Sequence, residues 1–403
     1  MNKPIDLPDR TQGAVEHIRS FHPELTNIRR DLHQHPELGF EEVYTSDVVA
    51  RELTQLGIPF ERGMGKTGIV ATITGMRIDS GKSVGLRADM DALPMTEDND
   101  FAHKSTAHGR MHGCGHDGHT TMLLGAARHL VKTRNFNGTV TLIFQPGEEG
   151  YAGARAMMED GLFDKYPADE IYALHNWPGL PAGKIGLRPG PTMAAADKVT
   201  IHIEGRGGHG AHPHAAIDPV VVAAHIIVAA QSIVSRSVNP VDTAVVSLCH
   251  VNAGNSGAMS VIPREATIVG TVRTFKKATQ DMIEQRLDEL VTSIARGFGA
   301  TATLKFERVY PATVNTEKES EFARDVAIDL VGEDNVVWNL DPSMGAEDFS
   351  FMLQEKPGCY LRLGQGGAES GCFLHNTRYD FNDEVIPLGA GLLAALAERS
   401  MPL

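Results

Sequence analysis

Between residues 198 and 309 the chain changes its rhythm, and that change constrains the fold more than any other feature. Residues 198–204 alternate as a strand, 218–235 read as an apolar helix, and 243–251 and 266–275 read as strands. An amphipathic helix over 279–297, with Met282, Leu287, Leu290 and Ile294 on one face, leads to a last strand over 302–309. The order is β-α-β-β-α-β, a ferredoxin-like unit. Such a unit closes on itself with nearby termini and inserts readily into another domain.

On either side the pattern is different. Helical periodicity over 17–33 and 41–56 is followed by strands at 68–74 and 83–88. A helix over 119–133 is followed by strands at 139–144 and 170–174. After residue 310 the same pattern resumes, with a helix at 319–331, a strand at 359–363 and a final helix at 384–399. Short apolar strands between helices indicate α/β structure around a largely parallel sheet. The expected architecture is a discontinuous catalytic α/β domain (1–194 and 310–403) carrying an inserted ferredoxin-like lid (195–309).

Composition then narrows the function. With 403 residues, 42% hydrophobic and 22% charged, the chain is ordinary globular protein. Its formal charge of -14 comes without a Lys/Arg stripe, which argues against nucleic acid. Residues 1–13 are polar with no apolar stretch behind them, and the apolar run at 220–230 is short and interrupted by His225. A cytoplasmic protein with no membrane partner is therefore expected. The four cysteines do not form a disulfide framework. Cys249, in an apolar strand pattern, is expected to be a buried small hydrophobe; Cys114 is set apart by Gly113, Gly115 and His116.

Four clusters fall at or beyond the ends of expected strands, where open α/β sheets bind ligands. They are Met111 to His119, lying before a helix; Gln145-Pro146-Gly147-Glu148-Glu149-Gly150; His175-Asn176; and His375-Asn376. Each alone reads more simply as a loop or a solvated turn, so the argument rests on their shared position. Thiolate, imidazole and carboxylate together suit Zn, Mn, Co or Ni rather than Mg or Ca. Adjacent Glu148 and Glu149 leave the backbone in different directions. One can therefore bind metal while the other accepts a proton from water.

At these residues the sequence resembles the aminoacylase/carboxypeptidase family of two-metal peptidases, in the branch of hippurate hydrolases and indoleacetyl-amino-acid amidohydrolases. The likeness runs nearly end to end. It includes Arg29-Arg30-Asp31-Leu32-His33 with His35-Pro36-Glu37, Arg87-Ala88-Asp89-Met90-Asp91-Ala92-Leu93-Pro94, Cys114-Gly115-His116-Asp117-Gly118-His119, Pro146-Gly147-Glu148-Glu149, His175-Asn176 and Gly345-Ala346-Glu347-Asp348-Phe349. The resemblance implies two divalent cations held by Cys114, His116, Glu149, His175 and His375, with Glu148 as general base. It implies hydrolysis of the amide bond of small N-acyl amino acids such as hippurate, and a dimer or higher homo-oligomer formed through the lid. His209, in the loop Gly207-Gly208-His209-Gly210, would stabilise the oxyanion, and Arg273 would clamp the substrate carboxylate.

Two departures stand out. Asp89-Met90-Asp91 occupies the place of a His-x-Asp ligand pair, so Asp89 and Asp91 read as groups supporting the ligands, while His112 and His119 read as bystanders or supporting groups. Ser260 stands where relatives carry Asn before Val261-Ile262-Pro263. Three rivals remain: a cysteine hydrolase using Cys114 and His116, a non-catalytic binding protein on the same scaffold, and a dipeptidase or carboxypeptidase acting on small peptides.

Overall fold

The structure, a computed structural model, describes residues 13–368 and 371–403; the polar N-terminal stretch discussed above lies, up to residue 12, outside the described residues. Two compact units result. The first takes the described residues up to Thr192 with Thr313–Asp341 and Asp348–Leu403, and the second takes Met193–Ala312 with Pro342–Glu347.

The first unit is built on an eight-stranded sheet. Its order is Phe60–Met64, Gly68–Thr74, Thr139–Gln145, Ser83–Asp89, Glu170–Trp177, Gly358–Gly364, Ile185–Leu187 and Val336–Trp338. The four middle strands, Thr139–Gln145 to Gly358–Gly364, run parallel to one another. They are buried on both faces along almost their whole length, so they read as near-continuous apolar runs. The flanking strands turn back: Gly68–Thr74 is antiparallel to Thr139–Gln145, and Ile185–Leu187 to Gly358–Gly364. The sheet is thus mixed at its margins and parallel where the candidate residues emerge.

Two helices seal this core. His116–Thr133 and the final helix Ile386–Ser400 are both buried nearly all round. They approach closely because glycine lines the contact: a Cβ on Gly125 would meet Ala390 Cβ at 3.0 Å, and one on Gly389 would collide with Met122 Sδ. Burial of side chains such as Leu392, Leu393 and Leu396 contributes about 1.5–3 kcal/mol each. The single helix expected over 17–33 is two helices, Ala14–Arg19 and His22–Gln34. Pro23 explains the break, because it starts a helix well and cannot continue one.

The second unit is a four-stranded antiparallel sheet in the order Ala244–Ala253, Glu265–Thr274, Ala195–Glu204, Thr301–Tyr310. Helices Pro219–Ser232 and Lys277–Gly297 pack on it, burying Val222, Ile226, Ile283, Leu287 and Val291 with Val199, Ile201, Ile268 and Val272. This is the ferredoxin-like order. The apolar helix is longer than the short run read from sequence. With the π-turn Ile233–Ser237 it spans 19 residues, enough by length and composition to cross a membrane. Here its inner face lies on the sheet, and Val220, Val221 and Val228 are exposed on the other.

Cys249 is a correction: it is exposed. The register of its edge strand slips between Leu248 and His250, so Cys249 is the extra residue of a bulge and escapes the alternation that would have buried it.

Candidate metal centre

Cys114 and His116 are presented by a tight turn into a helix. Gly115 has φ +96°, a left-handed conformation, and a Cβ there would collide with Asn176 Oδ1 and meet Tyr379 Oη at 2.6 Å. The helix begins at His116 itself, so the motif expected wholly before the helix ends inside its first turn. Glu148 and Glu149 follow the strand Thr139–Gln145 through Gly147, also left-handed at φ +59°. His175 lies near the carboxyl end of the strand Glu170–Trp177. His375, itself left-handed at φ +60°, is anchored by its N–H donating to Gly113 O at 2.8 Å.

These side chains converge. Cys114, His116 and His175 each offer a donor atom within 4.8 Å of the others; so do Cys114, Glu149 and His375, and so do His116, Glu148 and Glu149. Cys114 Sγ is 3.5 Å from His175 Nε2. Glu149 Oε1 is 3.2 Å from His375 Nε2 and 4.0 Å from His116 Nε2. Yet Glu149 Oε1 and His116 Nε2 are buried without a hydrogen-bond partner among the described residues.

Hydrogen bonds behind the histidines settle which nitrogen is free. His175 Nδ1 donates to Asn176 O at 2.7 Å, and His116 Nδ1 faces Asp91 Oδ1 at 3.2 Å. Both leave Nε2 with its lone pair aimed at the common space. His119 differs: Nδ1 meets Asp89 Oδ1 at 2.6 Å and Nε2 meets Asn176 Oδ1 at 2.7 Å, so neither nitrogen is spare. His112 is buried with neither nitrogen hydrogen-bonded among the described residues, and burial lowers its pKa to about 4.

The electrostatics favour a cation. Burial, then Glu149, Glu148 and Asp89, push the Cys114 thiol well above its ordinary range. Burial opposes a charge on His116, but Asp89, Asp91 and Glu149 outweigh it and raise its pKa to about 10. Arg87, the nearby permanent cation, is engaged by Asp89 at 2.8 Å and Asp348 at 3.0 Å. A pocket that must otherwise neutralise its thiol and protonate its histidine suits divalent cations, which would release both protons.

Some contributing residues carried no signal in the sequence. Asn176 Nδ2 donates to Gln365 Oε1 at 2.9 Å and to Tyr379 Oη at 2.7 Å, which fixes its amide oxygen toward His119. Gln365 and Tyr379 lie in loops without any motif spacing. Asp91 was legible only as a supporting group. It also accepts from Glu148 N–H at 3.0 Å and Glu149 N–H at 2.9 Å. Glu148 is buried, and its Oε1 accepts from Asp348 N–H at 3.3 Å.

His209 and Arg273 belong to the second unit and are not among these converging groups. His209 is exposed on the short strand Gly208–His209, paired with Val261–Ile262, and its Nδ1 accepts from Ala211 N–H at 3.1 Å. Ser260 accepts from Gly210 N–H through its backbone carbonyl at 2.6 Å. Arg273 is half-buried, directed at Thr271 Oγ1 and at Val272 O (3.1 Å). Burial depresses its pKa, and Asp197 opposes that shift.

Comparison with known proteins identifies the family. The model of peptidase family M20/M25/M40 matches residues 85–399. Hippurate hydrolase of Campylobacter jejuni subsp. jejuni is 41% identical over 385 residues, covering 96% of this chain and 98% of that one. IAA-amino acid hydrolase ILR1-like 4 of Arabidopsis thaliana is 39% identical, covering 94% and 86%. The crystal structure of a dinuclear metal-binding M20 peptidase from Bacillus subtilis superposes with a TM-score of 0.82 at 34% identity, covering 95% of this chain and 99% of that one. The chain belongs to peptidase family M20/M25/M40 and is a hydrolase of its amidohydrolase branch.

Proposed function

We propose that the protein hydrolyses the amide bond of small N-acyl amino acids, hippurate or related conjugates, with two divalent cations per subunit. The observation that carries this reading is the convergence of Cys114, His116, Glu149, His175 and His375 on one space, with His116 Nε2 and Glu149 Oε1 buried and lacking a hydrogen-bond partner among the described residues. Cys114, His116 and Glu149 each belong to more than one of the donor groups, so overlapping sets of side chains would hold the cations. When bound, such ions supply Lewis acidity toward the scissile carbonyl and lower the pKa of water.

The chain's own residues do the rest. Glu148, buried beside the donors but directed differently from Glu149, takes a proton from the attacking water and returns it to the departing amine. Asp91 holds His116 and the Glu148–Glu149 backbone in place. From the second unit, His209 donates to the developing oxyanion and Arg273 receives the substrate carboxylate, roles supported by the resemblance and by the absence of a carboxylate in ion-pair contact with Arg273 among the described residues. Pairing of two copies through the second unit accords with the exposed Val220, Val221 and Val228 beside the open edge Ala244–Ala253. We place the reaction in the cytoplasm. A cysteine nucleophile is disfavoured, because burial and three nearby carboxylates hold the Cys114 thiol protonated.

The test strips the protein with chelator and restores Mn, Zn, Co or Ni singly, assaying hippurate, other N-acyl amino acids and small peptides. Recovery on N-acyl amino acids is expected. Recovery only on peptides moves the substrate class, and metal uptake without any turnover overturns the enzymatic reading. Glu148→Gln should abolish turnover with metal content unchanged; a variant that keeps its rate removes the base assignment.

A further inference from the structure

Glu42 stands immediately before the helix Val43–Gln55, where an acidic side chain ordinarily caps the first N–H groups. Here another residue does that. Glu37 accepts from Tyr44 N–H at 2.9 Å and from Thr45 N–H at 3.0 Å. Glu42 is thereby released from capping and is fully buried. Its Oε1 accepts from Gly147 N–H at 2.8 Å, and its Oε2 accepts from Thr67 Oγ1 at 2.5 Å.

Gly147 is the hinge of the turn that carries Glu148 and Glu149. Asp91 accepts the next two N–H groups, Glu148 at 3.0 Å and Glu149 at 2.9 Å. Three consecutive backbone donors therefore end on two buried carboxylates from distant segments. The segment holding Glu42 is itself fixed: Ala92 N–H donates to Glu37 O at 2.8 Å, and the rings of Phe40 and Tyr151 pack edge to face across the turn. Gly153 N–H closes the far side on Gly147 O at 2.9 Å.

We propose that Glu42 is a positioning residue for catalysis, which acts through Gly147 to fix the direction in which Glu148 leaves the turn. The proposal rests on the reading of Glu148 as the base. The role needs an acceptor at Gly147 N–H and does not need a charge. Burial, reinforced by Asp91 against the bonds from Thr67 and Gly147, raises the Glu42 pKa to about 7, and an amide can make the same two contacts with Oε1 toward Gly147 and Nε2 toward Thr67. Asp91 still holds Glu149 N–H when Glu42 is removed, so the cations should stay.

The experiment uses the full chain loaded with metal and compares Glu42→Ala, Glu42→Gln, Glu42→Asp and Glu148→Gln. The readouts are kcat, KM, metal per chain, and amide hydrogen exchange over residues 145–152. Glu42→Ala should lower kcat by about 10- to 100-fold, the scale of a small misplacement of a reacting group. KM and metal content should stay within about threefold, and Glu42→Gln should restore kcat to within about threefold. Exchange over 145–152 should quicken in Glu42→Ala and not in Glu42→Gln. Should Glu42→Ala fail to fold, Glu42→Asp decides the matter, since it keeps the carboxyl and withdraws it by one methylene from Gly147. An unchanged kcat in the shortened variants overturns the proposal. So does a Glu42→Gln variant as impaired as Glu42→Ala, or unaltered exchange. Full turnover by Glu148→Gln would instead remove the base reading and leave the exchange result to judge the anchor by itself.

Discussion

Asp91→Asn puts the support of the centre to a quantitative test. One carboxylate oxygen accepts from Glu148 N–H and faces His116 Nδ1, while the other accepts from Glu149 N–H. An asparagine keeps one acceptor. Whichever way its amide turns, its NH2 faces either Glu149 N–H or the pair formed by Glu148 N–H and His116, donor against donor in a buried site. Leaving one or two such donors unsatisfied costs about 1–6 kcal/mol in all, at about 1–3 each. Part of that cost falls on the orientation of His116 and Glu149, so metal affinity should drop by about 10- to 100-fold. The loss propagates into stability. A cation at about 1,000 times its Kd stabilises the fold by about 4 kcal/mol, and after a hundredfold weakening by only about 1.4 kcal/mol. Chelator competition gives the affinity, and urea unfolding with and without the cation gives the linked stability. An Asp91→Asn variant that binds within about threefold of the parent, with undiminished metal-linked stabilisation, would refute the idea that Asp91 orients the ligands.

Three further outcomes are expected. Gly115→Ala forces a left-handed alanine whose Cβ collides with Asn176 and Tyr379, so it should cost about 2 kcal/mol or more and empty the centre; a variant with normal metal content at equal stability would contradict the turn argument. Burial disfavours a charged His33, but its bonds to Asp117 and Glu97 outweigh that and raise its pKa to about 9 from the ordinary 6.5. The stabilisation it gives is therefore complete below about pH 6.5 and is lost as pH rises through about 9; His33→Gln should flatten urea stability across that window, and parallel pH profiles would dismiss the pair. Arg273→Lys, which loses the bidentate fork, should raise KM for hippurate by about 10- to 100-fold with kcat little changed, and an unaltered KM would release Arg273 from carboxylate binding.

Periodicity made much of the fold legible, but only where burial follows it. The middle strands announce themselves as apolar runs because both faces are covered. The flanking Phe60–Met64 carries Glu61 and Arg62 on exposed positions and gives no such signal. Three-residue strands such as Ile185–Leu187 and Val336–Trp338 are too short to show a period. Cys249 misled because a bulge resets alternation without leaving a mark in composition. At the site, Cys114, Glu148 and Glu149 stood out by residue type and spacing. Glu42 did not, because in sequence Glu41-Glu42 looks like a solvated pair, and only tertiary packing buries one member beneath Gly147.

The discontinuity of the first unit also sets an order of events during synthesis. A chain leaving the ribosome N-terminus first presents Cys114, His116, Glu149 and His175 long before the strand Gly358–Gly364 that must pair with Glu170–Trp177. Nearly all of the second unit, Met193–Ala312, is made in between and can fold while its host waits with an open sheet. His375 and the buried helix Ile386–Ser400 follow later still. The fifth donor of the proposed centre, His375, is therefore made 200 residues after His175, so the proposed site would be completed only after the whole second unit has been synthesised.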